Sequence, residues 1–127
     1  SLADQALHFL LVLRPALASG NVICDRYFYD MLVGFRYRGY TGAGFERLAR
    51  RLIPRPDVIL ILELEPRVAQ IRETNGNHAL SFYQDLRQRY RELASEMGGY
   101  LINTSDCQTR TCDEIKQVVD AGETTPP

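Results

Sequence analysis

The run Val58-Ile59-Leu60-Ile61-Leu62-Glu63-Leu64 limits what this chain can become more than any other stretch. Its first five residues are apolar without a break and mostly branched. A strand that alternates apolar and polar residues hides one face, whereas a strand apolar at every position suits burial on both. The run therefore predicts a central strand of a parallel sheet. Parallel neighbours need crossover connections, usually helical, so the rest of the chain should alternate helices with strands.

It does so. Residues 2–18 carry Leu2, Leu7, Leu10, Leu11, Leu13 and Leu17 at helical spacing, with Pro15 kinking the helix or opening a new turn and Ser19-Gly20 ending it. Residues 21–27 (NVICDRY) are a short apolar run ending in charge, which predicts a first strand over 21–25. Residues 34–44 hold four glycines among aromatics and arginines and read as a loop. Helical spacing returns over 45–53 and ends at Pro54-Arg55-Pro56-Asp57. Pro66 suits the first turn of a helix over 66–73, and Asn75-Gly76-Asn77 reads as a turn. Residues 80–97 form a long amphipathic helix with Tyr83, Leu86, Tyr90, Leu93, Ala94 and Met97 inward, stopped by Gly98-Gly99. Tyr100–Asn103 predicts a third strand. Thr111 with Glu114 has the spacing of a capping box for a last helix. One α/β domain over 1–121 and a disordered tail over 122–127 follow.

Composition removes several function classes. The net charge of −1 gives no overall attraction to nucleic acid or to an anionic membrane. Cys24, Cys107 and Cys112 are odd in number and lack zinc-site spacing, and only His8 and His78 could join them, so no structural metal and no disulfide framework is expected. Reduced cysteines and a cytoplasmic setting are the expectation. No stretch approaches the ~20 apolar residues of a membrane span. The chain opens with Ser1 rather than Met, which reads as a processed, trimmed or truncated start. Of fifteen basic residues only Lys116 is lysine. A GC-rich genome explains that bias, and so does recognition of phosphate or carboxylate by guanidinium forks.

Ligands of open parallel sheets bind beyond the carboxyl ends of the strands. Those ends here carry Asp25-Arg26-Tyr27, Glu63 with Glu65, and Thr104-Ser105-Asp106. An acid at such a position can hold Mg²⁺ through water while the adjacent arginine clamps an anion; the same dipeptide also makes an ion pair or a helix cap. Tyr27, Tyr29, Phe35 and Tyr37 interleave with Arg36 and Arg38. That pattern suits a nucleobase beside a phosphate, or equally an aromatic helix packed on its neighbour. Arg72 can reach a phosphate or sit solvated at a helix end. Arg87, Arg89 and Arg91 among acids read as a solvated face with local ion pairs.

The ordered set PALASGNVICDRYFYD, LIPRPDVILILELEPRVAQIR, FYQDLRQRYRELA and YLINTSD resembles thymidylate kinase and its relatives among the P-loop nucleoside monophosphate kinases. Residues 14–106 fit that pattern in order and spacing. The resemblance implies a three-layer α/β/α sheet and transfer of the ATP γ-phosphoryl to a nucleoside monophosphate, with positioning and charge neutralisation supplying most of the catalysis. It implies ATP and Mg²⁺ as cofactors, a nucleotide substrate with neither nucleic acid nor membrane as partner, and room for a homodimer. Asp25 matches the acid near Mg²⁺, and Arg26 the arginine that grips the acceptor phosphate. Arg72 stands where a mobile lid begins, and Thr104-Ser105-Asp106 near the donor's adenine. Tyr27, Tyr29, Asp30, Arg36 and Arg38 would line the acceptor pocket.

Two departures shape the expectation. After Asp25-Arg26-Tyr27 the family usually continues with Ser and then Ala-Tyr-Gln, whereas this chain reads Phe28 to Gly34; its Asp30 and Arg36-Tyr37-Arg38 look more like a bacterial thymidylate-kinase-like subgroup. The chain also has no Gly-x-x-x-x-Gly-Lys-Ser/Thr loop, since Lys116 lies in the last helix. The resemblance thus implies the C-terminal two-thirds of a kinase, without its first two strands and ATP cradle and inactive alone. A kinase for another small substrate and a non-catalytic binding module are the alternatives.

Overall fold

The computed structural model describes residues 2–40, 42–73 and 78–123. The chain gathers into two compact units, Ser1–Arg55 and Pro56–Pro127.

The first unit is helical. α1 (Leu2–His8) runs through a five-residue π segment, Phe9–Leu13, into α2 (Arg14–Ser19). The cause is Pro15: it offers no N–H, and its ring crowds the carbonyl one turn back. The turn before it is widened, with the Arg14 N–H reaching the Phe9 carbonyl. Leu10, Leu11 and Leu17 of this helix are more than half exposed. The strand expected over 21–25 does not form. A strand exists only by pairing, and residues 21–27 have no ladder partner among the described residues; Ile23 is 98% exposed.

The loop expected over 34–44 is also corrected. α3 (Phe28–Tyr37) continues through Gly34 to Tyr37, and α4 (Ala43–Leu52) begins two residues earlier than predicted. Phe28 with Leu32 and Tyr29 with Val33 recur at i, i+4, and all four are buried. That packing outweighs the roughly 1 kcal/mol that a mid-helix glycine costs. Ala49 of α4 and Ile53 beyond it are buried too.

The second unit holds a small parallel sheet. β1 (Leu60–Glu63) pairs with β2 (Tyr100–Asn103) in the register Leu60↔Tyr100 to Glu63↔Asn103. α5 (Pro66–Arg72) and α6 (Leu80–Met97) form the crossover between them, and α7 (Gln108–Glu123) follows β2. Tyr83, Leu93, Ala94 and Met97 of α6 are buried, with Ile61 and Ile102 of the strands. Leu62 stays 59% exposed, because β1 has a ladder partner on one side only among the described residues. Gly98 ends α6 in the left-handed region at φ 65°, and the Gly99 N–H returns to the Ala94 carbonyl at 2.8 Å. A residue with a Cβ would be strained there.

The capping box is a correction. α7 starts three residues before Thr111, whose hydroxyl donates to the Cys107 carbonyl at 3.3 Å inside the helix instead of capping it. The tail expected from 122 is helical through Glu123, and 124–127 lie outside the described residues, as does the turn expected at 75–77.

Candidate functional site

In the first unit, Asp25 and Arg26 belong to the turn before α3 rather than to a strand end. Both are exposed, and with Tyr27 they line a cleft of about 230 Å³ floored by Phe9, Leu13 and Ile53. Arg26 has φ 59°, in the left-handed region, and is the one non-glycine residue there among the described residues. That conformation costs an ordinary side chain about 1–2 kcal/mol. Strain of this kind concentrates where a side chain must be aimed.

The turn is anchored by Tyr27, whose hydroxyl donates to the Pro54 carbonyl at 2.9 Å and whose ring meets Phe28 and Tyr29 edge-on at 5.3 and 5.7 Å. Burial, with Cys24 close by, pushes the Tyr27 phenol up to about 12. Tyr29 is raised as well, chiefly by burial against the opposing pull of Arg55 and Arg50. With Tyr29 only 7% exposed, its ring serves the core. Asp30 lies in the first turn of α3 and donates its N–H to the Tyr27 carbonyl. Arg36 makes a bidentate ion pair with Glu46 of α4, Nε at 2.9 Å and Nη2 at 2.8 Å, so it staples two helices. That bond holds the Glu46 carboxyl below its usual range. Arg38 is exposed just past α3.

In the second unit the ends of the two strands do meet. The Thr104 N–H and hydroxyl both donate to the Glu63 carbonyl, at 2.9 and 3.0 Å, and the Glu65 N–H donates to Ser105 Oγ at 3.3 Å. Asp106 pairs with Arg110 in the solvent. Arg72 is exposed in the last turn of α5; its neighbour Glu73 accepts a short hydrogen bond from the Tyr83 hydroxyl, which raises the Tyr83 phenol.

Glu63 stands at the strand rim as expected, but its pairing with two arginines that read as solvated is what sequence reasoning missed. Arg87 and Arg91, one turn apart on α6, both grip the Glu63 carboxylate, and their hydrogen bonds hold it down at about 2. Only Arg89 makes the expected local pair, with Asp85. The signal was present: two arginines at i, i+4 on the crossover helix that follows a strand whose last residue is an acid. His8 and Phe9 were missed at the first cleft because α1 reads as a plain amphipathic helix.

The three cysteines are free and exposed. Among the described residues no group of three or more His, Cys, Asp or Glu is arranged to hold a metal ion, and no helix is long and apolar enough to cross a membrane.

Two parallel strands joined by a helical crossover define a chain of the α/β class. Residues 1–115 match the thymidylate kinase family, and the chain belongs to that family. It is 35% identical over 116 residues to a thymidylate kinase of Solidesulfovibrio magneticus, a match covering 74% of this chain and 54% of that protein. Thymidylate kinases of Magnetococcus marinus (36% identical; 75% of this chain, 51% of the relative) and Xanthomonas euvesicatoria (41%; 80% and 47%) are similar to it too. The chain thus spans about half the length of these relatives. No solved structure matches it significantly.

Proposed function

We propose that the chain supplies the acceptor side of a phosphotransferase that moves the ATP γ-phosphoryl to a nucleoside monophosphate of the dTMP class. The observation that carries this reading is the cleft shared by Asp25, strained Arg26 and Tyr27. There Arg26 would grip the acceptor phosphate, and the apolar floor would take the nucleoside. A Mg²⁺ ion fits Asp25, because Mg²⁺ keeps most of its waters and needs only one or two carboxylates beside substrate phosphates. When bound it would neutralise phosphate charge. Tyr29, Asp30, Arg36 and Arg38 would form the wall behind the pocket, Arg36 through its hold on Glu46.

Arg72 and Thr104-Ser105-Asp106 would stand on the donor side. The phosphate-loop motif that cradles the ATP phosphates in this kind of kinase does not occur in the sequence. The chain alone is therefore proposed to bind acceptor without turning it over. The three-layer sheet, a cytoplasmic setting and a homodimer go with this proposal on the strength of the family relationship.

Titration of the chain with dTMP tests it. Saturable binding weakened about tenfold or more by Arg26→Ala is expected, the loss of one charge-assisted bidentate contact. Binding indifferent to Arg26→Ala would refute the acceptor site. ATP-dependent phosphorylation of dTMP by the chain alone should stay at background; clear turnover would refute its inactivity.

A further inference from the structure

We propose that the second unit carries a phosphate-anion site of its own, in the cleft between the start of α5 and the middle of α6. The cleft measures about 410 Å³, large enough for pyrophosphate, and its lining is mostly polar: Glu65, Arg67, Gln84, Arg87 and Arg91 among others.

The geometry points to an anion through the way Glu63 is used. A guanidinium group has five N–H donors in one plane, arranged as more than one edge. Arg87 and Arg91 each spend the Nε and Nη2 edge on Glu63, at 3.2 and 3.1 Å and at 2.8 and 2.8 Å. Nη1 of each has no partner among the described residues. Glu63 thus orients two forks, and a ligand need not repeat the ordering of two long side chains. Arg67, on the opposite wall, has no ion pair among the described residues.

Three guanidinium groups face two carboxylates, and one of these, Glu63, is saturated. That leaves a net positive cleft. A tetrahedral anion with several oxygens can accept from forks on two walls at once, which a single planar carboxylate does less well. The site's test requires neither dTMP nor turnover, so its failure is distinguishable from failure of the acceptor reading.

The test is titration of the intact chain with inorganic pyrophosphate at low salt, with ADP and adenosine in parallel. Saturable pyrophosphate binding at millimolar or lower concentration is expected. It should weaken about tenfold in Arg67→Ala, where the lost residue supports nothing else described, and stay unchanged in Arg89→Ala. ADP binding more tightly than pyrophosphate would support the site and identify its phosphate as a nucleotide's; equal affinities would support it with free phosphate as the source. Absence of saturable pyrophosphate binding, equal loss in both variants, or adenosine binding as well as ADP would overturn the proposal. Circular dichroism of Arg67→Ala confirms that the comparison is made on folded protein.

Discussion

Nε and Nη2 of Arg91 each stand 2.8 Å from the carboxylate of Glu63, so a side chain in the middle of α6 closes the carboxyl end of β1. Arg87 completes the clamp at 3.1 and 3.2 Å. Its consequence is measurable, because the pair converts strand–helix packing into a pH-dependent quantity.

Hydrogen bonds from Arg91 and Arg87 depress the Glu63 carboxyl from 4.5 to about 2 in the folded state. The unfolded chain then binds its proton first, so the stabilisation is complete above about 4.5 and disappears as pH falls towards about 2. Glu63→Gln should cost about 1–2 kcal/mol at neutral pH, a charge-assisted contact discounted for the half-exposed Arg91. Its urea midpoint should change less between pH 5 and pH 2 than that of the parent. An identical pH slope in both proteins would show that the clamp carries no stability.

Arg26 makes a prediction opposite to the usual cost of glycine. Because its φ is 59°, Arg26→Gly should be more stable than Arg26→Ala by about 1 kcal/mol, as left-handed backbone is free to glycine and strained for alanine. Both variants lose the guanidinium and should bind dTMP equally poorly. Thermal unfolding of the two, compared directly, reads the difference; an Ala variant at least as stable as Gly would count against the strain.

Gly122 sits in the last turn of α7, where a Cβ would come 2.6 Å from Val58 Cγ2. On helix propensity alone Gly122→Ala should stabilise by up to about 1 kcal/mol. Val58 is stiff about its first torsion and cannot swing clear. The substitution should therefore destabilise by about 1 kcal/mol, and in a Val58→Ala background, where the clashing methyl is gone, Gly122→Ala should cost little or nothing. A rise in melting temperature for the single variant would rule out that close approach.

Much of the chain is written in its local pattern. Helix 80–97 and the Gly98 stop follow from the 3.6-residue period of Tyr83, Leu93, Ala94 and Met97 and from the conformational freedom of glycine, both properties of near neighbours, and strand 100–103 from its short apolar run. The Asp25-Arg26-Tyr27 cluster was legible for the same reason, as charge placed abruptly after an apolar run.

What tertiary structure decided depends on partners distant in sequence. NVICD is a good strand sequence and no strand, because ladder hydrogen bonds need a second chain segment beside it. GFRY is loop-like in composition and helical in fact, because burial of Phe28, Tyr29, Leu32 and Val33 outweighs one glycine. Arg36 looked available to a ligand and is held by Glu46, while Arg87 and Arg91 looked solvated and converge on Glu63. A residue's type and spacing set which face of its own element it occupies. Which charge it meets there is settled by packing, which brings together groups far apart in sequence such as Glu63 and Arg91.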